Sequence, residues 1–197
     1  MNRILCAIAL MALSSPAQAQ VTGPALSDWQ GVYFGGQVEF FPDSEFTDDR
    51  TPLIGGEIEG EIGGTFIGYR HQFNSFVVGG ELDYVGGDVE TTLTALGAGA
   101  SDGSDIGLIR AGAEVGYAFG RFLPYATAGY ARIVFRNTIN GDNISPGSFY
   151  GLGLDYQTGE YASVGVEVNR QRFEDFSLSP DINLDATSVS VNFAIRY

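Results

Sequence analysis

The side chains that could do chemistry are few and poorly placed for it. The chain has one histidine, His71, and one cysteine, Cys6, beside 24 aspartates and glutamates. Hydrolysis by a side-chain nucleophile needs a base in reach, most often Ser with His. His71 sits in the turn-like stretch "HQFNS" (71–75), and no Ser–His pair suggests itself. The expectation is a protein that is not an enzyme, with no catalytic residue to name. Metal chemistry fares no better. "DGSD" (102–105) and "NGDN" (140–143) look like pieces of calcium loops, but neither carries the twelve-residue ligand pattern, and turn chemistry explains both. "GGEIEGEIGG" (55–64) lacks the lysine and the strand–loop–helix setting of a phosphate loop. Neither a cofactor nor a metal site is expected.

What remains is charge. All ten basic residues are arginine, and the formal net charge is −14. A chain this acidic does not bind nucleic acid by neutralising phosphates, so no nucleic-acid partner is expected. The charges recur in segments that alternate polar and apolar residues with period 2, the mark of strands with two different faces. "GVYFGGQVEF" sets Val32, Phe34, Val38 and Phe40 against Gln37 and Glu39. "EIEGEIGGTFIGYR" sets Ile58, Ile62 and Phe66 against Glu57, Glu59, Glu61 and Thr65. "FVVGGELDY" sets Val78, Leu82 and Tyr84 against Glu81 and Asp83, and "LIRAGAEVGY" sets Ile109, Val115 and Tyr117 against Arg110 and Glu114. "FLPYATAGYARIVFR" sets Leu123, Tyr125, Ala131, Ile133 and Phe135 against Tyr130, Arg132 and Arg136. "FYGLGLDY" sets Leu152, Leu154 and Tyr156 against Asp155, and "YASVGVEVNRQ" sets Val164, Val166 and Val168 against Glu167, Asn169 and Gln171. "SVSVNFAIRY" closes the chain, with Val189, Val191, Phe193, Ile195 and Tyr197 against Ser188, Ser190, Asn192 and Arg196.

Eight strands need connections, and these alternate in length. Short ones fall at 71–75, 118–121 and 157–160; long ones at 42–53, 86–104, 137–147 and 174–185. In hairpin topology all long loops gather at one end. They hold twelve carboxylates, Asp43 to Asp185, against Arg50 alone. Ahead of the strands, "MNRILCAIALMALSSPAQAQ" has Arg3, an apolar run from Ile4 to Leu13, and small residues ending at Ala17 and Ala19. Residues 1–19 read as a secretory signal peptide, since the run is too short for a membrane span of about 20 residues. Residues 20–197 then form one domain without cysteine, hence without disulfides.

An alternating sheet can hide its apolar face in a soluble core or turn it to lipid. Eight strands of bilayer length, short turns at one end and long loops at the other, fit the second case. Aromatic residues cluster near strand ends, where rings favour the membrane interface; Trp29, Tyr117, Phe122, Tyr125 and Tyr156 are assigned there. The expected fold is all-β: an eight-stranded, antiparallel, up-and-down transmembrane β-barrel, closed because lipid tolerates no open sheet edge. Its narrow lumen would hold Glu39, Glu81, Asp83, Arg110, Glu114, Arg132, Arg136, Asp155, Glu167 and Arg196. Buried charges must pair, so the arginines are expected to bridge the carboxylates and plug the barrel. Carboxylates exceed arginines, so any residual path would prefer cations.

"GVYFGGQVEF", "FVVGGELDY", "VGYAFGRFLPYATAGYA" and "YGLGLDY" resemble the small eight-stranded outer-membrane barrel family that includes the opacity-like surface antigens and OmpA-type barrel domains. The resemblance implies a place in the bacterial outer membrane and a structural or surface role: envelope integrity, or antigen- and adhesin-like loops. The alternative is a small cation-preferring porin; a lipid-modifying enzyme ranks behind both for want of a Ser–His pair. It also implies that Val189, Val191, Phe193, Ile195 and Tyr197 form the C-terminal signal read by the barrel-assembly machinery. Outer-membrane lipid and lipopolysaccharide are the expected surroundings, with divalent cations shared between acidic loops and lipid phosphates.

Overall fold

The computed structural model describes residues 28–48, 54–59, 61–95, 98–136, 143–173 and 182–197. Along 43–48, 54–59, 88–95, 98–105, 135–136, 143 and 182–183 the description is of the backbone alone. Residues 1–19, read above as a signal peptide, therefore lie outside the described residues.

The chain forms β1 (Gly31–Asp48), β2 (Ile54–Glu59), β3 (Glu61–Phe73), β4 (Phe76–Ala95), β5 (Ala98–Tyr117), β6 (Phe122–Arg136), β7 (Asn143–Gln157), β8 (Ala162–Phe173) and β9 (Ile182–Arg196), with no helix among the described residues. β2 and β3 are two stretches of one course, since each pairs with β1 on one side and β4 on the other. That leaves eight courses, each antiparallel to its neighbours. β9 pairs with β1 from Tyr33↔Arg196 to Asp48↔Ile182 and closes the ring. Closure leaves the wall without an open edge, so its backbone groups pair strand to strand, as a spanning sheet requires.

Short turns join the strands at one rim. Asn74 makes the β3–β4 turn at φ 56°, a left-handed conformation that asparagine tolerates, and Gly120 makes the next at φ 59°. At the other rim two of the expected long loops are largely strand. β4 and β5 stay paired up to Ala95↔Ala98, and β1 runs on to Asp48 against β9. A hairpin that has left the membrane meets water on both faces, so it needs no alternation and leaves no period-2 signal. Between Phe40 and Asp43 the β1–β9 register slips by one residue. The bulge contains Pro42, which has no N–H to contribute to a ladder, and sends Phe41 against the apolar cluster of the lumen.

Side chains alternate between wall and lumen, but two segments face opposite to expectation. On β3, Ile62 and Phe66 point into the lumen, while Glu61 and Thr65 face outward. On β6, Leu123, Tyr125, Ala131 and Ile133 are buried inside, while Tyr130 and Arg132 are exposed on the wall. The cause is the same in both. This lumen is apolar over much of its height, so hydrophobicity marks both faces. On β6 the outward slots below Tyr130 are filled by Pro124, Ala126 and Ala128, a weak lipid-facing signal.

Candidate functional site

The lumen is built in layers, each set by which strands turn a charge inward. β3 contributes Arg70. Its Nε and Nη2 donate to both oxygens of Glu114 on β5, at 2.5 and 2.9 Å, and its Nη1 donates to Asp155 on β7 at 2.8 Å. The guanidinium lies over the Tyr33 ring at 4.5 Å, with Tyr125 and Trp29 at 5.5 and 5.7 Å. Its positive face is thus enclosed by carboxylates and π-clouds together. β5 contributes Arg110, which grips Glu39 of β1 at two points, 2.9 and 2.8 Å, and donates from Nε to Asp83 of β4 at 3.0 Å. Gln171 braces Glu39 from β8 at 3.1 Å and reaches Ser188 on β9 at 3.0 Å.

Two further carboxylates lie between these groups and hold phenols instead of arginines. Tyr33 donates to Glu81 at 2.8 Å and Tyr125 donates to Glu167 at 2.7 Å, while the Asn169 amide donates to Glu167 at 2.6 Å. Apolar clusters flank these charges on both sides. Toward the short turns, Trp29, Val77, Leu123 and Tyr125 form an apolar lid. Asp28 to Gln30 lie across that mouth. The Trp29 backbone N–H donates to the Gln72 side-chain carbonyl, and the Asp28 carbonyl accepts from Gln157 and Arg196. Toward the long-loop end a larger plug includes Ile62, Leu108, Ile133, Phe149, Phe173 and Leu184.

The lumen rings need room, and glycines on neighbouring strands provide it. Tyr33 lies over Gly68, Tyr125 over Gly153, and Phe149 over Gly112, where a Cβ would sit 2.6 Å from Phe149 Cζ.

Of the ten charges assigned to the lumen, the structure brings Glu39, Asp83 and Arg110 into one cluster and Glu114 and Asp155 into another, with Glu81 and Glu167 between. Arg132 is a correction: it stands outside, for the reason given for β6. The Arg136 side chain lies outside the described residues. Arg196 sits at the rim, bound to the carbonyls of Asp28, Gln30 and Glu160 and 3.4 Å from the Asp28 carboxylate, away from the lumen clusters. Among the aromatics, Tyr117 and Phe122 face outward and pair edge-on or tilted with Phe76 and Tyr156. Trp29 and Tyr125 are corrected: they fill the lumen, because one lids the ion pair and the other seats on Gly153. Val191, Phe193, Ile195 and Tyr197 face outward and Val189 is half-buried.

Arg70 is the residue sequence reasoning missed. Ile67 and Tyr69 carry an outward signal at the short-turn end of β3, and counting from them turns Arg70 inward. A second overlooked feature is Gly99 to Gly103, which matches the spacing of a nucleophile elbow. It lies at the start of β5, already paired with β4, where the elbow needs a strand-to-helix turn. His71 packs edge-on against Phe73, 4.3 Å between ring centres, at the opposite rim. The acidic side chains from Asp43 to Asp49, with Asp88, Glu90 and Asp102, lie outside the described side chains.

A closed antiparallel ring with an apolar outer band and a packed, charged interior defines a membrane-spanning β-barrel. The chain belongs to the outer membrane protein beta-barrel domain family, whose model matches residues 5–196, and its place is the bacterial outer membrane. It is similar in structure to the outer membrane protein OprG from Pseudomonas aeruginosa, at 16% identity over 85% of this chain and 96% of that one, with TM-score 0.53. It is likewise similar to Neisserial surface protein A, at 12% identity over 85% and 97%, with TM-score 0.50. At such identities the likeness is one of fold. No curated protein matches the chain in sequence.

Proposed function

We propose that this barrel is a sealed structural anchor of the outer membrane, whose work lies in envelope integrity and in the acidic long-loop end it presents outside, as a surface antigen or adhesin does. The short turns then face the periplasm. The observation that carries this reading is the closed lumen. The cavities beside Glu81 and Glu167 and inside the apolar plug measure about 10 and 20 Å³, room for little more than a water. To pass, an ion would have to push aside both arginine clusters and an apolar layer.

The second reading is a narrow cation-preferring channel. It is supported by charge balance: six lumen carboxylates, Glu39, Glu81, Asp83, Glu114, Asp155 and Glu167, face Arg70 and Arg110. Conductance across a planar bilayer under a salt gradient separates the two. The refolded barrel, its folding checked by heat-modifiable gel mobility, is expected to be silent. Steady cation-selective steps would put the channel first.

Its partners in this reading are outer-membrane lipid and lipopolysaccharide, the assembly machinery that reads Val189 to Tyr197, and divalent cations between acidic loops and lipid phosphates. The outward, exposed setting of Tyr197 at the short-turn rim supports the second of these.

A further inference from the structure

Arginine on the outer wall of a transmembrane barrel is costly at mid-membrane and tolerated only near the interface. This chain places three there, on β6 and β8, the courses on either side of β7. The outward slots of β6 run Pro124, Ala126, Ala128, Tyr130 and then Arg132; those of β8 run Val164, Val166, Val168 and then Arg170 and Arg172. Between them, β7 presents Leu154, Leu152, Tyr150 and Ser148. The register sets Tyr130 beside Ser148, Ser148 beside Arg172, and Tyr150 beside Arg170. The wall therefore changes from apolar, through two exposed tyrosines, to basic toward the long-loop end, with Arg132 set beside Pro146, one outward slot beyond Ser148 and Arg172.

Among the described side chains the patch is confined to this wall. At the corresponding end of β3 the outward residue is Glu61, and the chain as a whole has 24 carboxylates against ten arginines. The carboxylate facing the patch among the described side chains is Asp185, which the register sets opposite Arg172 and which lies 3.9 Å from Arg170; Arg170 also donates to Thr187 at 2.8 Å. Glu174 and Asp175 follow Phe173 outside the described residues. Arg170 is thus braced, while Arg132 and Arg172 extend from exposed positions two strands apart, about 10 Å laterally at ordinary strand spacing. A forked guanidinium matches phosphate at two points, and membrane-level phosphates are the anions available at this height.

We propose that the β6–β8 wall is a docking site for the phosphorylated headgroup of an outer-leaflet glycolipid, lipid A in chemical class, gripped by Arg132 and Arg172 with Arg170 behind them and Ser148 between. The proposal rests on the orientation given above.

The test uses the barrel refolded in phosphatidylcholine vesicles doped with bisphosphorylated lipid A, extracted in mild detergent and weighed by native mass spectrometry. The parent protein is expected to retain lipid A. An Arg132→Gln/Arg172→Gln variant, changed only at outward positions, is expected to retain it about tenfold more weakly, the worth of one or two charge-assisted hydrogen bonds. Arg121→Gln, in the turn at the other rim, should match the parent. Lipid A stripped of phosphate should be held no better by the parent than by the double variant. Equal retention by parent and double variant, with both folded by gel mobility, would overturn the site. Retention of the stripped lipid by the parent as tightly as of the bisphosphorylated lipid would overturn the phosphate assignment. Orientation is read separately: Thr158→Cys, in the β7–β8 turn, should resist an impermeant maleimide on intact cells. Labelling there would overturn the outer-leaflet assignment even if phosphate-dependent retention survived.

Discussion

Replacing Arg110 by methionine would strand Glu39 and Asp83, both buried, without their cation. Removing one partner of a buried ion cluster costs about 3–5 kcal/mol, because the charge left behind has no solvent. Urea unfolding of the refolded barrel should show that loss, and a triple variant that also carries Glu39→Gln and Asp83→Asn should recover much of it. Little change in the single variant would mean that the cluster is hydrated. These residues were legible in the sequence because β1, β4 and β5 alternate cleanly, with apolar side chains facing lipid. Arg70 and Arg132 were misjudged for one physical reason. Where the lumen itself is apolar, as around Ile62 and Ile133, the hydrophobic face of a strand no longer points to the membrane. Trp29 and Tyr125 were misplaced similarly, since a ring near a strand end suits an interface and a lid equally well.

At the scale of the strand, fit between neighbours matters more than charge. Gly153 lies under the Tyr125 ring, so Gly153→Val would force that ring off Glu167 and cost about 1–3 kcal/mol, read as a lower unfolding midpoint. Gly159→Val, in a turn with nothing within 4 Å of its added Cβ, serves as the control and should leave the midpoint in place. The opposite face obeys lipid. Val166 is exposed on the β8 wall, and arginine there should cost about 2–4 kcal/mol in a bilayer. A negligible cost would show that Val166 does not face the membrane core. The number and order of the membrane strands were legible, because a half-polar wall forces period 2. Their extensions beyond the membrane were not, because strands wetted on both faces are under no such constraint; β4 and β5 run well past the stretch that the alternation indicates.

For the molecule as a whole, the closing seam is made by residues at the two ends of the described chain: the Tyr197 N–H donates to the Val32 carbonyl at 2.7 Å. Deleting Tyr197, or replacing it with aspartate, should reduce assembly into the outer membrane, measured as surface-exposed, heat-modifiable protein; normal levels would count against a terminal signal. The Arg70–Asp155 bond has a consequence of another kind. β3 and β7 stand opposite each other, with three courses between them on either side of the ring. A thin-walled tube yields to sideways pressure first by becoming oval, which shortens one diameter and stretches the other. A hydrogen-bonded ion pair of 2.8 Å spanning that diameter resists the stretch, and the Tyr33 and Tyr125 rings packed around it resist the shortening. The lumen network is in this sense a spoke. It holds the cross-section round against the lateral pressure of the bilayer, a load that hinge-like hydrogen bonds between neighbouring strands are poorly suited to carry.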